Sequence, residues 1–212
     1  MPTRLQILQF VNNPPPGADP WVVAPTSAPI EVVEYDPGWP EQARGVIDRL
    51  AGILGPRALR IDHVGSTAVE GLPAKPIIDI DVTVADPANE PAWLPQLEHA
   101  GFVLTVREPW WHEHRMLRGG HRADDRVAPA DGGPAANVHV FGPDSPELVK
   151  HIVFRNWLRA DAADRQLYAA AKRGAAAAST ANSEHVMDYN ARKQAVVREI
   201  FQRAFRAAGF LD

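Results

Sequence analysis

One segment near the middle of the chain alternates between aliphatic and acidic side chains. Asp79 and Asp81 are interleaved with four aliphatic residues between Ile78 and Val84. A β-strand has a side-chain period of two, so the pattern predicts a strand over Pro76–Val84. Its aliphatic face should enter a core, and its two carboxylates should share the opposite face.

Other alternating segments predict the neighbours of this strand. Further strands are expected at Ile30–Tyr35, Ala58–Val64, Phe102–Val106, Glu113–Leu117 and Asn137–Phe141. In the last of these, Asn137 and His139 should share one face, and Val138 the other. The Gly-, Pro- and Asp-rich stretch 119–136 is expected to form a loop.

Helical spacing of apolar residues dominates the rest of the chain. It predicts helices over about residues 40–53 and 93–100, the latter ended by Gly101. Three more should follow, from Pro146 to about Leu158, over Ala162–Ala177, and from Ser183 to a stop at Gly209. Because strands alternate with helices early and neighbour one another later, we expect an α/β (α+β) fold with a mixed sheet.

The chain is expected to hold one domain behind an extended arm. Residues 1–29 are rich in proline and should form that arm, with one short strand at Leu5–Val11. Residues 30–212 should form the domain, with an α/β core over 30–142 and C-terminal helices over 143–212. The sequence leaves open whether the arm lies over its own domain or over a neighbouring subunit in a homodimer.

Composition excludes several classes of protein. A hydrophobic content of 45% supports a proper core, and a net charge of −4 argues against a general nucleic-acid binder. The chain has no cysteine, which excludes disulfides, thiolate metal sites and cysteine nucleophiles. It shows neither a signal-peptide pattern nor an apolar run long enough for a membrane span, so we expect a cytoplasmic protein.

The strongest chemical signal is a glycine turn that precedes the acidic strand. Gly65-Ser66 follows one predicted strand, and Asp79 and Asp81 lie on the next. Carboxylates on one face can hold a divalent metal ion, and backbone N–H groups at such a turn can bind phosphate. In the alternative, structural interpretation, Asp79 caps a strand end and Asp81 is solvated.

A second candidate site contains histidines. If residues 112–114 are extended, His112 and His114 share one face, with Glu113 on the other. Together with His139 they would suit zinc or another transition metal in a metallohydrolase. The alternative is that neutral histidines lie at the mouth of a pocket or in solvent.

Several cations and aromatic residues could complete a phosphate site. The candidates are Lys75, Arg115, Arg155 and Lys193. Tyr189 lies one helical turn before Lys193, and could stack on a base or pack among the helices. Each cation could equally be a solvated charge or part of a structural ion pair.

The motifs together resemble the GrpB family, a branch of the nucleotidyltransferase-fold superfamily. The signature runs from His63 through Gly65-Ser66 to Asp79-Ile-Asp81-Val82. Segments similar to the family also occur at Val33–Pro40, Asn137–Val140, Phe154–Arg159, and Tyr189 with Lys193. The resemblance covers about residues 30–208.

This resemblance implies a minimal nucleotidyltransferase fold, a mixed sheet flanked by helices. It implies Mg²⁺ or Mn²⁺ on Asp79 and Asp81, with a nucleoside triphosphate held by Gly65, Ser66, Thr67, Lys75, Arg155 and Lys193. Active members of the superfamily usually add a third carboxylate, and at that place the chain offers His139, as an auxiliary ligand or base; Glu113 is the other candidate. The expected reaction is transfer of a nucleotidyl group to a small acceptor, and the alternative is a non-catalytic nucleotide- or metabolite-binding module.

Overall fold

A five-stranded mixed β-sheet forms the centre of the computed structural model, which describes residues 1–10, 12–24, 29–120, 133–184 and 186–212. The strands are β1 (Ala58–Val64), β2 (Ile78–Val84), β3 (Val103–Glu108), β4 (His114–Gly119) and β5 (Ala136–Phe141), in the spatial order β1-β2-β5-β4-β3. Only the β2–β5 pair is parallel. The predicted mixed sheet is therefore confirmed.

The register of the sheet brings the polar residues of its central strands together. Asp79 lies opposite Asn137 of β5, and Asp81 lies opposite His139. The aliphatic residues that alternate with them, such as Ile80 of β2 and Val138 of β5, are completely buried in the main hydrophobic core. The apolar face and the face with two carboxylates, both predicted from the alternation, are thus confirmed.

Helices cover both faces of the sheet. They are α1 (Arg4–Leu8), α2 (Trp39–Leu54), α3 (Leu94–His99), α4 (Pro146–Ala160), α5 (Ala162–Ala181) and α6 (Val186–Ala207). Helices α2 and α3 supply residues to the core on the apolar face. Helices α4, α5 and α6 pack on one another over the polar face of the sheet. Residues of all three helices line a cavity between them and this face.

Two predicted strands are wrong. Leu5–Leu8 belongs to helix α1, which begins with a capping box in which the Thr3 and Gln6 side chains each bond the other's backbone N–H. The apolar Ile7 of this helix packs with Phe201 and Phe205 of α6, so tertiary burial favours the helix. Over Ile30–Tyr35, Val33 forms an isolated antiparallel bridge with Ala74, which lies outside the five strands of the sheet.

The part of the proline-rich arm around Trp21 lies along the edge of the sheet. Trp21 forms an antiparallel bridge with Val106 of β3, and the carbonyl of Pro20 accepts a hydrogen bond from the Arg107 backbone. The arm therefore covers its own domain. The predicted loop 119–136 falls mostly on residues 121–132, which lie outside the described residues. Within the described residues, no helix is both long enough and apolar enough to cross a membrane.

Candidate functional site

A cavity of about 1300 Å³ lies between the polar face of the sheet and helices α5 and α6. Six residues proposed for the metal–nucleotide site line it: Gly65, Ser66, Lys75, Asp79, His139 and Lys193. The other sequence candidates in the lining include His114 and Tyr189. Segments of the arm, including Trp21 and Pro29, also line it. The fold therefore gathers onto one surface residues that lie far apart in the chain, from the arm to Lys193.

The glycine turn fits closely against the first aspartate. Gly65 has φ 69° and ψ −166°, a backbone conformation that is almost confined to glycine. A Cβ atom at this position would lie 2.3 Å from Oδ2 of Asp79. The sequence needs glycine here because the turn leaves room only for a hydrogen atom beside the carboxylate.

Asp79 is a partly exposed carboxylate in the lining of the cavity. Its Oδ1 accepts a 2.8 Å hydrogen bond from the Asn137 side chain and lies 3.9 Å from Nε2 of His139. Burial works to raise the pKa of Asp79, but His139, Asn137 and the charge of Lys75 together lower it to about 2. Asp79 is thus ionised at neutral pH. Asn137 is a site residue that the alternation placed on the correct face but that sequence analysis did not select.

Asp81 lies beneath the cavity and is only 1% exposed. Its Oδ2 lies 2.8 Å from Nδ1 of His151 on α4, while its buried Oδ1 has no hydrogen-bond partner among the described residues. Burial works to lower the pKa of His151, but the charge of Asp81 and its hydrogen bond raise it to about 9. His151 is therefore an imidazolium at neutral pH, and sequence analysis missed it because only the packing of α4 against the sheet brings it to Asp81.

A chain of hydrogen bonds connects the edge of the cavity to His139. Glu108 Oε2 lies 2.7 Å from Nδ1 of His114, and Nε2 of His114 lies 3.0 Å from Nδ1 of His139. Burial lowers the pKa of His114 to about 4, although Glu108 opposes the shift, so this ring is neutral. An ionised Glu108 only accepts, so His114 donates to it and accepts from His139. This assignment uses Nδ1–H of His139 as the donor and leaves Nε2 facing Asp79 at 3.9 Å, where a proton or a metal ion would be held between the two groups.

The predicted three-histidine site is wrong. His112 and Glu113 lie in the turn before β4, with φ 56° and 54°, rather than on a strand. Nε2 of His112 lies 3.9 Å from Glu147, and the Glu113 carboxylate lies 3.3 Å from Arg115. Neither residue lines the cavity. The structure therefore removes the geometric basis for a metallohydrolase and for Glu113 as a third carboxylate.

Lysines and tyrosines form the side of the cavity opposite the carboxylates. Lys193 Nζ lies 4.8 Å from the centre of the Tyr189 ring and 5.9 Å from that of Tyr168. Lys75 Nζ lies 5.5 Å from the Tyr189 ring. Lys172, which sequence analysis did not select, also lines this side. Tyr189 is only 1% exposed, so packing accounts for most of its surface.

Three residues that were proposed from the sequence to bind phosphate do not line the cavity: Arg155, Thr67 and Arg115. Arg155 donates a 2.7 Å hydrogen bond to the carbonyl of His63, at the end of β1 that leads into the glycine turn. The hydroxyl of Thr67 is buried 3.0 Å from Nε2 of the same His63. Arg115 forms a 2.6 Å ion pair with Glu90 and is buried, which is the structural alternative considered for it. Arg155 and Thr67 therefore support the turn from behind.

Of the two adjacent tryptophans, Trp111 contributes to the cavity. Its indole makes an edge contact with His114 at 5.0 Å and with Phe141 at 5.9 Å between ring centres. Both contacts help to fix the His114 ring. Trp110 instead donates a 3.0 Å hydrogen bond to Asn12 of the arm.

The carboxylates suit a metal ion that is shared with a substrate. Within the described ranges, no group of three or more His, Asp or Glu side chains is gathered as a complete metal cage. Mg²⁺, however, is commonly held by one or two carboxylates while substrate phosphates and water supply the other ligands. The buried, unpartnered Oδ1 of Asp81 and the ionised Asp79 on the same strand face fit that arrangement.

The His151–Asp81 pair should make stability depend on pH. The folded pKa of His151 is raised above 6.5, so the pair's contribution is complete below pH 6.5 and is lost as pH rises to about 9. The difference in unfolding free energy between wild type and His151→Asn should therefore shrink by about 3 kcal/mol over that range. Urea unfolding between pH 5.5 and 9.5 measures it.

The matched control for this experiment is His99→Asn, on α3 at an exposed position. Its difference from wild type should stay small and constant over the same range. A His151→Asn difference that does not change between pH 6.5 and 9 would show that His151 is not paired as described.

Comparisons with known proteins give one consistent family. The profile described as GrpB protein matches residues 29–203. A UPF0157 protein of Halalkalibacterium halodurans is 41% identical over 180 residues, which is 85% of either chain. The crystal structure of conserved protein GrpB from Enterococcus faecalis superposes with a TM-score of 0.66 and 27% identity, covering 84% of this chain and 99% of the other.

A longer relative carries another name. The dephospho-CoA kinase of Mycolicibacterium paratuberculosis is 36% identical over 195 residues, which is 84% of this chain but 46% of the kinase. The chain thus spans about half the length of that relative. A structure of Cid1 in complex with its short product ApU matches 66% of this chain at 13% identity, with a TM-score of 0.44.

Proposed function

The chain belongs to the GrpB family, and from that premise we propose that its cavity binds a nucleoside triphosphate together with Mg²⁺ or Mn²⁺. The reaction proposed is transfer of the nucleotidyl group to a small acceptor. The observation that carries the proposal is the contact between the Gly65 turn and Asp79, opposite a side of the cavity rich in lysine.

The two sides of the cavity have the chemistry that a triphosphate needs. Carboxylates attract the metal ion, while Lys75 and Lys193 supply positive charge for phosphate oxygens. Ser66 begins a single turn of 3-10 helix directly after Gly65, and its hydroxyl and backbone can meet the distal phosphates. The cavity, at about 1300 Å³, is larger than most small-molecule pockets and has room for a nucleotide and an acceptor.

The metal ion would be held by Asp79, Asp81 and the phosphates, and when bound it would neutralise the charge that develops on the phosphates. Asp81 would offer the Oδ1 that now lacks a partner. His139 would act beside it, since its Nδ1 is engaged with His114 and its Nε2 faces Asp79. From there it can ligate the ion or accept the proton of the acceptor's hydroxyl or amine.

One observation favours a second candidate function. His139 stands opposite Asp81 on the parallel neighbour strand, where active members of the superfamily usually place a third carboxylate. A cavity with two carboxylates could bind a nucleotide without transferring it. Release of pyrophosphate from the bound triphosphate distinguishes the enzyme from a non-catalytic binding module.

A thermal-shift screen tests the binding proposal. Nucleoside triphosphates, diphosphates and monophosphates are each offered with and without Mg²⁺. A ligand that binds the native state raises the free energy of unfolding by mass action, by about 2.7 kcal/mol at a hundred times its dissociation constant. The midpoint temperature of unfolding rises with it. We expect a shift from triphosphates that requires Mg²⁺. No shift from any nucleotide with Mg²⁺ would overturn the proposal.

A further inference from the structure

The cavity lining contains a buried lysine whose side-chain nitrogen is not hydrogen-bonded within the described part of the chain. Lys172 of α5 is only 2% exposed, and its Nζ has no hydrogen-bond partner among the described residues. Lys172 is one of the residues that line the cavity. An ammonium or amine group that is buried without an acceptor costs free energy, so its place in a cavity lining points to a ligand that supplies the acceptor.

The surroundings of Lys172 are aromatic and cationic. Its Nζ lies 5.1 Å from the centre of the Tyr168 ring, over which Lys193 also lies. The charged groups that act on it from other elements are Lys193 of α6, Lys75 before β2, and Asp79 of β2. Among the groups that act on Lys172, the carboxylate of Asp79 is outnumbered by two lysines, which favours a polyanion beside them. Glu31 and Glu108 also line the cavity, as do Arg118 and His151.

The same surroundings oppose the charged form of Lys172. Burial, together with the charges of Lys193 and Lys75, holds the pKa of Lys172 well below its usual range, although Asp79 works in the other direction. Incoming phosphate oxygens would reverse the balance, because they add negative charge and hydrogen-bond acceptors beside Nζ.

We propose that Lys172 is a phosphate-binding residue of this cavity, and that it takes up a proton from solvent when a polyphosphate enters. This inference rests on the proposed function, and it assigns the polyphosphate chain to the lysine side of the cavity. The rings of Tyr168 on α5 and Tyr189 on α6 lie beside the side-chain nitrogens of Lys172 and Lys193. The uptake is a neutral amine plus one proton giving an ammonium, so the charge of the site follows the charge of the ligand.

Calorimetric titration with inorganic tripolyphosphate and saturating Mg²⁺ tests the inference, because this probe has neither base nor sugar. At pH 8, titrations in two buffers of different ionisation enthalpy give the number of protons taken up. Wild type should take up protons, at most one per site, and its affinity should fall with rising pH by up to about tenfold per unit. Lys172→Met should weaken binding by roughly 10- to 100-fold.

Two further variants separate charge from structure. Lys172→Arg stays charged at every pH tested, so it should bind tripolyphosphate without proton uptake. Arg173→Gln is the matched control, because this neighbour on α5 is exposed and paired with Glu34; its affinity and proton uptake should equal those of wild type. Lys172→Met should also unfold at a higher temperature than wild type, since it removes a buried amine that lacks a partner.

The possible failures are distinct. Binding of tripolyphosphate without proton uptake, or uptake that persists in Lys172→Met or Lys172→Arg, overturns the inference and leaves the proposed function standing. If wild type binds a nucleoside triphosphate but not tripolyphosphate, the inference about Lys172 is likewise overturned and the proposed function stands. If wild type binds no triphosphate of either kind with Mg²⁺, both proposals fail. Should both Lys172 variants fail to fold, wild-type proton uptake alone decides the inference.

Discussion

Replacing both Asp79 and Asp81 by asparagine is expected to abolish Mg²⁺-dependent binding of nucleoside triphosphates. The substitutions preserve side-chain volume but remove both charges that would hold the metal ion, and one of these carboxylates has a buried oxygen with no other partner. Without the ion, the phosphates would meet no compensating charge on the strand side of the cavity. Isothermal titration calorimetry with and without Mg²⁺ measures the loss.

If the double variant does not fold, the two single substitutions still test the metal site. Asp81→Asn leaves His151 without its counter-ion and should cost about 3 kcal/mol or more of stability. Asp79→Asn keeps an oxygen that can accept the hydrogen bond from Asn137, so it should fold normally and still lose binding. Asp86→Asn, just after β2 and exposed, is the matched control and should bind as wild type does. Binding that is unchanged in Asp79→Asn and in the double variant contradicts the assignment of the metal.

The second large effect is expected from Gly65→Ala. A non-glycine residue in this backbone conformation costs on the order of 1–3 kcal/mol, and the new methyl group would overlap the Asp79 carboxylate at 2.3 Å. Either the turn or the aspartate must move, so we expect a total loss of about 3 kcal/mol or more in unfolding free energy. Nucleotide binding should be lost with it. Urea unfolding and calorimetry on the same protein sample measure both.

A second glycine separates backbone strain from the overlap. Gly71 also has a positive φ, of 73°, but a Cβ atom there would meet nothing within 4 Å. Gly71→Ala should therefore cost only about 1 kcal/mol and leave binding intact. Equal effects of the two substitutions on binding would mean that contact between the glycine turn and Asp79 has no role in the site.

Much of the fold follows from local patterns in the sequence. The strand Ala58–Val64 has the predicted bounds, and β2 keeps the alternation that separates its carboxylates from the core. The prediction of helix α2 is confirmed to within one residue at either end. These elements can be predicted because each shows one clear periodicity of apolar residues, of two for a strand or about 3.6 for a helix. Helix α1 was missed because five residues are too few to show a period, although Thr3 and Gln6 carry its capping signal.

The site was only partly predictable for a related reason. Asp79, Gly65 and Lys193 were selected because a motif or a resemblance marks them. No motif or resemblance marks His151 or Lys172 themselves, and only the packing of α4, α5 and α6 over the sheet brings them to the cavity. Conversely, the turn before β4 breaks the period-two argument that had joined the histidines, because two consecutive residues there have positive φ.

The most direct test of the metal–nucleotide site is paramagnetic broadening by Mn²⁺ in nuclear magnetic resonance spectra. The histidine ring signals report on position, because His139 and His151 flank the carboxylates and His99 lies on α3, on the other side of the sheet. With a nucleoside triphosphate present, a substoichiometric amount of Mn²⁺ should broaden His139 and His151 and leave His99 sharp. Equal broadening of His99 and His139, or no broadening of His139 while the nucleotide is bound, would contradict a metal–nucleotide site at Asp79 and Asp81.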